Sequence, residues 1–356
     1  MKIGIVTYHR ANNVGAVLQN YALLEVLKSY GVQAETIDYK CKAIEEGNRI
    51  WSKRGIKETV KIFLSLYSFI SREIKFNSFR KKYLTLSKNS YTSENIVHTI
   101  GIYDEFWTGS DQVWNMNLNG NDNTYMLGFV PSATKGKYSY AGSFGYSEVP
   151  EKYLNNTLSS LKEFTRISVR EDKAKEFLNR HHIEAAVVLD PTLLLSGEKW
   201  KKLVRAEQVK KKYVFVYIVA YTPELMERAR TIADENGYEL WVMHYSYRRY
   251  PNCRNIRNAS PDEFLSYIFN AQIVLCSSFH AVCFSLLFHK NFYYALDKNK
   301  SNNNSRLSSL CTQLGLERSI SCYPTKDINY QLIDAKLEEL RRESLDFIKT
   351  ALADKS

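Results

Sequence analysis

Short apolar runs of strand length alternate with stretches of helix length through most of this chain. The first series predicts strands over residues 2–7, 33–38, 103–108, 138–141, 166–169 and 186–189. Helices are predicted between them over 14–30, 151–164 and 171–180. Pro191 and a basic, polar connector over 199–212 then interrupt the pattern. The second series predicts strands over 213–219, 239–242, 272–276 and 292–295, with helices over 223–236, 261–270 and 281–288. Helical segments over 305–314 and 330–352 finish the chain. Such alternation builds mostly parallel sheets covered by helices. A chain of 356 residues, 44% hydrophobic, has material for two cores. The expected fold class is therefore α/β, with two Rossmann-like domains facing a cleft. One spans residues 1–203 and carries a basic helical insert at 51–90. The other spans 204–356 and ends in a helix.

In open α/β sheets, ligands bind beyond the carboxyl ends of the strands, so polar residues there are the first functional candidates. Ser277-Ser278-Phe279-His280-Ala281 follows a predicted strand and opens a predicted helix. A helix start offers unpaired N–H groups and partial positive charge to an anion. His280 can add a donor or a proton there. The plainer reading is that the serines and His280 cap the helix. Between the first strand and first helix lies Tyr8-His9-Arg10-Ala11-Asn12-Asn13-Val14-Gly15. It lacks a dinucleotide fingerprint and a P-loop, so Asn13 and Gly15 either meet a polar ligand or form an ordinary turn and cap.

Gly109-Ser110-Asp111-Gln112-Val113-Trp114-Asn115 follows another strand. Its amides, carboxylate and indole suit sugar hydroxyls and a sugar face, and Asp111 suits a general base. Alternatively Asp111 closes an Asx-turn and Trp114 fills the core. Arg170 ends the strand over 166–169. It can clamp a carboxylate or phosphate, or pair internally with an acidic neighbour.

The net charge of +11 concentrates between residues 51 and 88. Lys53, Arg54, Lys57, Lys61, Arg72, Lys75, Arg80, Lys81, Lys82 and Lys88 face only Glu58 and Glu73 there. Apolar residues recur at helical spacing through the segment, so it reads as one or two basic amphipathic helices. These serve either an anionic membrane surface or a helical layer with a solvated face. Nucleic acid is not expected, since no pattern of a nucleic-acid-binding fold is present. No apolar stretch reaches membrane-spanning length, and the first residues read as a strand rather than a signal peptide. The six cysteines form no Cys-x-x-Cys pair, a cytosolic pattern without a structural zinc signature.

Six segments in order carry a resemblance. They are Gly-Ala-Val-Leu-Gln-Asn-Tyr-Ala-Leu (15–23), Gly-Ser-Asp-Gln-Val-Trp-Asn (109–115) and Tyr-Ala-Gly-Ser-Phe-Gly (140–145). Ser-Val-Arg-Glu (168–171), Leu-Asp-Pro-Thr-Leu-Leu-Leu (189–195) and Ser-Ser-Phe-His (277–280) follow. Together they resemble the polysaccharide pyruvyl transferase family over residues 1–316, with Ala281 where the family often has Gly. The resemblance implies a two-domain, glycosyltransferase-B-like fold. It also implies transfer of a pyruvyl group from phosphoenolpyruvate onto two hydroxyls of a sugar, as a cyclic ketal.

On that reading Asp111, Arg170 and His280 are catalytic. Asn13, Gly15, Ser110, Gln112, Trp114, Asn115, Ser143, Ser278 and Arg306 bind substrates. Phosphoenolpyruvate is a co-substrate, with no cofactor and no metal required. The acceptor is a glycan, expected on a lipid carrier, and the location cytoplasmic with peripheral contact at the inner membrane face. Two other classes stay open: a glycosyltransferase using a nucleotide sugar on the same fold, and a non-catalytic glycan- or membrane-binding protein.

Overall fold

The computed structural model describes residues 1–47, 56–132, 134–146, 148–205, 211–220, 222–246, 249–296, 305–322 and 327–354, the side chains of 56–65, 305 and 322 excepted. The chain divides into two compact units. Met1–Arg49, Arg80–Leu194 and Glu338–Ser356 form the first; Ile50–Phe79 and Leu195–Leu337 form the second.

In the first unit the strands are β1 (Lys2–Val6), β2 (Gln33–Tyr39), β3 (Leu86–Tyr91), β4 (Glu105–Thr108), β5 (Gly136–Gly142), β6 (Arg166–Val169) and β7 (Ala186–Val187). Helices α1 (Val14–Ser29), α2 (Lys42–Gly47), α4 (Met116–Asn119), α5 (Glu151–Leu161), α6 (Asp172–Arg180) and α7 (Pro191–Leu194) connect or follow them. The sheet is parallel throughout, in the order β3-β2-β1-β4-β5-β6-β7. Strand order reverses between β1 and β4, so the loops after these strands diverge and leave a crevice at their carboxyl ends. Val6 pairs with Thr108 at that end, which sets residues 7–13 beside 109–115. Gly4 is required between them, because a Cβ there would meet the Tyr103 ring at 2.8 Å.

Helix α3 (Ile56–Tyr83) is a single 28-residue helix. The second unit follows with α8 (Gly197–Lys201), β8 (Tyr213–Ile218), α9 (Pro223–Asn236), β9 (Glu239–His244), β10 (Arg254–Ile256), α10 (Pro261–Asn270), β11 (Ile273–Cys276), α11 (Phe279–Leu287), β12 (Asn291–Tyr294), α12 (Ser305–Leu314) and α13 (Tyr330–Ala353). Its parallel sheet runs β10-β9-β8-β11-β12, reversing between β8 and β11. Apolar residues of β8, β9 and α9 form its core, Val214, Val216, Ile232 and Val242 among them.

Two features depart from the predicted organisation. The chain passes from the first unit to the second at Leu194, and residues from Glu338 onward group with the first unit, not with 204–356. The reason lies in what α13 touches. Ser344 Oγ accepts the Leu189 N–H at 2.9 Å, Arg341 donates to the Leu193 carbonyl at 2.9 Å, and Phe347 packs near Tyr140. The second feature is the basic segment. Lys53 and Arg54, and the side chains of Lys57 and Lys61, lie outside the described residues. Of the rest, Lys75 pairs with Glu263 at 2.8 Å. Arg80 is buried and donates to the carbonyls of His9, Arg10 and Ala11 and to Asn12 Oδ1. The Tyr8–Asn13 loop is thus pinned by a cation that the sequence placed on a solvated or membrane-facing surface.

Candidate active site

The carboxyl edge of the first sheet collects four of the six sequence segments into one polar cluster. Arg170, one residue beyond β6, has a side chain only 1% exposed. Its Nη1 lies 2.8 Å from Asp190 Oδ2 and its Nη2 lies 3.6 Å from Asp111 Oδ1. Burial alone would lower the pKa of this guanidinium. The carboxylates of Asp190, Asp111 and Glu171 outweigh that cost and hold it above its ordinary value. Asp190 also accepts from Ser110 Oγ at 3.0 Å, and from the Thr192 N–H and hydroxyl at 3.0 and 2.7 Å. The internal pair that the sequence left open for Arg170 is therefore real. Its partner, Asp190, was missing from the expected site residues. The signal was an Asp-Pro-Thr directly after a strand, where Asp turns the chain by accepting from the residue two ahead.

Each residue of Ser-Val-Arg-Glu has a separate task. The β5–β6 register shifts between Ser139 and Gly142, a bulge that frees backbone groups. Ser168 Oγ takes up one of them, accepting the Ala141 N–H at 3.1 Å. Val169 enters the core, and Glu171 accepts from Ser143 Oγ at 2.7 Å. The bulge also explains Tyr-Ala-Gly-Ser-Phe-Gly. Ala141 has φ 53°, and a Cβ on Gly142 would stand 2.8 Å from the Trp114 ring. Gly145 has φ 71° and sits against Gln112 Oε1, so a side chain fails there on both counts.

Asp111 stands over this bulge, bridged to Gly142, with φ 85°. An aspartate in that region is strained, and such strain persists where surroundings fix it. Asp111 Oδ1 accepts the Gln112 N–H at 2.8 Å and faces Arg170. Among the described residues, Oδ2 receives no hydrogen bond, and the side chain is 12% exposed. One oxygen is thus held while the other is open, an arrangement suited to taking a proton.

The remaining expected residues divide. Trp114 is fully buried among Phe144 and Phe164, and its indole N–H donates to the Tyr125 carbonyl at 3.2 Å. That corrects the expected stacking platform, since the indole is the floor of the loop and presents no face to a sugar. Asn115 donates to Gln112 Oε1 at 2.9 Å and caps α4. Asn13 caps α1, accepting from the Gly15 and Ala16 N–H groups. Gly15 is buried in the first turn of that helix. Beside them His9 and Arg10 both reach Asp38, at 3.0 and 2.7 Å. Burial would raise the Asp38 pKa, but hydrogen bonds from His9, Ser90 and Arg10 hold it far below the usual carboxylate range.

In the second unit, Ser278 is the N-cap residue of α11 but makes no side-chain capping bond, and His280 is buried in the first turn. Ser277 instead holds the end of β8, its hydroxyl accepting the Val219 and Ala220 N–H groups at 3.0 and 3.1 Å. Arg306 lies half-buried in the first turn of α12, while Asn303 and Asn304 lie outside the described residues. The structure thus gathers Ser110, Asp111, Gln112, Asn115, Ser143 and Arg170 at one sheet edge, and Ser278 and His280 at the other.

The sequence matches the polysaccharide pyruvyl transferase family over residues 13–297. No curated protein matches it. Two solved structures share the fold along their whole length and along all of this chain. The UDP-GlcNAc 2-epimerase of Methanocaldococcus jannaschii, in complex with UDP-GlcNAc and UDP, has 12% identity and a TM-score of 0.50. The UDP-GlcNAc 2-epimerase of Neisseria meningitidis, bound to UDP-GlcNAc, has 10% identity and a TM-score of 0.53. At such identity the likeness concerns fold alone, and it agrees with two parallel α/β sheets in a two-domain, glycosyltransferase-B-like architecture.

Proposed function

We propose that this chain, which belongs to the polysaccharide pyruvyl transferase family, moves the pyruvyl group of phosphoenolpyruvate onto two hydroxyls of a sugar in a surface or capsular polysaccharide precursor. The observation that carries this reading toward a mechanism is the half-open Asp111 carboxylate beside Arg170. Asp111 acts as general base on the attacking hydroxyl. Arg170 faces the held oxygen of Asp111 and adds positive charge to the field that an anionic donor meets.

The methylene carbon of the donor gains a proton, and a sugar oxygen bonds to the neighbouring carbon. The bond to phosphate then breaks, and the second sugar oxygen closes the ketal. Of the two hydroxyl protons, one ends in the new methyl group and one leaves with phosphate. His280 is the proton donor, toward the methylene or toward the departing phosphate. Asn13, Gly15, Ser110, Gln112, Asn115 and Ser143 shape the loops on the acceptor side, and Ser278 and Arg306 serve the donor.

The test is incubation with phosphoenolpyruvate and a glycan acceptor, following phosphate release and a new ketal by mass spectrometry. A glycosidic product from a nucleotide sugar, with none from phosphoenolpyruvate, would overturn the reading. Asp111→Asn should lower turnover by about 10²–10⁴-fold while leaving donor affinity near normal. Full activity in that variant removes Asp111 from the mechanism.

The acceptor is proposed to be lipid-linked and met at the inner membrane face. Among the described residues no helix is long and apolar enough to cross a membrane. Tyr67, Ile70 and Ile74 lie on one face of α3 and are exposed, at 80%, 44% and 63%, with Lys81 and Lys82 exposed further along. Each cation near an anionic surface contributes about 1 kcal/mol, screened by salt. Co-sedimentation with anionic but not neutral vesicles at low salt is expected. Indifference to both would end the peripheral-membrane reading.

A further inference from the structure

Arg72 of α3 is a half-buried arginine that no carboxylate among the described residues pairs with. Its guanidinium lies 4.5 Å from the centre of the Tyr245 ring and 5.3 Å from that of Phe69. Among the described residues it makes no ion pair and no hydrogen bond, and its Nε is enclosed without a partner. Burial lowers its pKa. Its neighbours on the same helix are treated otherwise: Lys75 has Glu263, and Ser71 receives the Asn258 amide at 2.9 Å. A buried cation left without a carboxylate is costly unless an anion arrives from outside.

The surroundings of Arg72 supply donors. Tyr217, in β8, and Tyr245, just beyond β9, set their rings 6.4 Å apart. The Tyr245 hydroxyl is enclosed and, among the described residues, makes no hydrogen bond of ordinary geometry; its polar neighbour is the Tyr217 hydroxyl. The position is also telling. Tyr217 pairs with Cys276 across the β8–β11 reversal, and its carbonyl accepts the Ser277 N–H at 3.1 Å. The group therefore lies at the carboxyl edge of the second sheet, one strand end from Ser278 and His280, where ligands of this sheet type bind.

We propose that Arg72, with the hydroxyls of Tyr217 and Tyr245, binds a phosphoryl group of a substrate. Stacking on Tyr245 fixes the guanidinium plane and leaves its terminal N–H groups to grip two oxygens at once. Two substrates of the function proposed above carry such oxygens: phosphoenolpyruvate, and an acceptor linked to its lipid through pyrophosphate. The inference rests on that reading only for the source of the phosphate.

Calorimetric titration of the full chain with phosphoenolpyruvate, inorganic pyrophosphate and inorganic phosphate distinguishes the sources. Wild type is expected to bind one of the first two, and Arg72→Gln to bind it about tenfold to a hundredfold more weakly. Preference for phosphoenolpyruvate marks a donor site, and preference for pyrophosphate an acceptor site. Tyr245→Phe keeps the stacked ring, so it tests the hydroxyl in a folded protein if Arg72→Gln does not fold; it should bind several-fold more weakly. Equal affinity in both variants, or no binding of any of the three by wild type, would overturn the proposal. Arg72-dependent binding without any ketal product would instead leave this site standing and sink the pyruvyl-transfer reading.

Discussion

The two sheet edges that carry the candidate residues are built on opposite principles. In the first unit the cation and its anions come from the same chain: Arg170 is held between Asp190 and Asp111, with Ser110 and Thr192 completing Asp190. In the second unit, among the described residues, Arg72 has aromatic rings but no carboxylate, and Ser278 makes no capping bond. An internally neutralised cluster is a scaffold that orients one reactive group. A cluster of donors without acceptors is a receptacle. We propose on this contrast that the first unit is the acceptor side and does the base chemistry, and that the second is the donor side and holds an anion.

Stability measurements can break the contrast. Replacing Asp190 by Ala strands a buried arginine, and losing one partner of a buried pair costs about 3–5 kcal/mol. Arg72→Gln, which removes no internal ion pair, should cost less than about 1 kcal/mol. Urea unfolding of both variants decides it. If the two midpoints shift equally, either Asp190 is dispensable or Arg72 is structural, and the contrast fails.

A smaller effect is expected from pH. The Asp38 carboxylate is held low in the folded state by His9, Ser90 and Arg10. A depressed folded pKa contributes stability that is fully present above the unfolded value, near pH 4, and is lost as pH falls below it. Asp38→Asn should therefore be less stable than wild type by about 1–2 kcal/mol at pH 7. The gap should narrow as pH falls below about 4 and close only once pH passes the depressed folded pKa. Parallel curves across that range would show that the loop after β1 gains nothing from this charge.

The smallest effect separates two serines of the second unit. Ser260 forms a capping box with Glu263 at the start of α10, so Ser260→Ala should cost about 1 kcal/mol. Ser278→Ala removes no capping bond and should fall within about 0.5 kcal/mol of wild type. A penalty at Ser278 as large as that at Ser260 would mean its hydroxyl serves the fold and is not kept for a ligand.

Much of the fold was legible because buried parallel strands are apolar runs. The strands over 166–169 and the helices over 223–236, 261–270 and 305–314 stand where periodicity placed them. The strands that escaped are β3 and β10, both at sheet edges. β3 reads Leu-Ser-Lys-Asn-Ser-Tyr, with three exposed residues in its middle, and β10 reads Arg-Asn-Ile. An edge strand is covered on fewer sides and tends to be short and charged, so hydrophobic patterning has little to detect.

The site was legible in part for a related reason. Asp111 and Arg170 stand at strand ends, which local pattern locates. Whether Arg170 met an outside anion or Asp190, 20 residues on, depended on a β6–β7 pairing that local pattern does not specify. Trp114 was misread because an indole beside polar residues looks the same in sequence whether it faces solvent or the core.

The return of α13 to the first unit has a consequence for synthesis. Ser344, which accepts the Leu189 N–H, and Asp354, which pairs with Arg166, leave the ribosome after all of Leu195–Leu337. The first unit therefore cannot finish folding before the second has been made. Its sheet must wait, with β5 and the strand ends around Leu189 lacking their cover, until α13 has emerged. Vectorial folding, in which the leading domain completes before the next begins, is closed to this chain, and the second unit is the one that can be whole first.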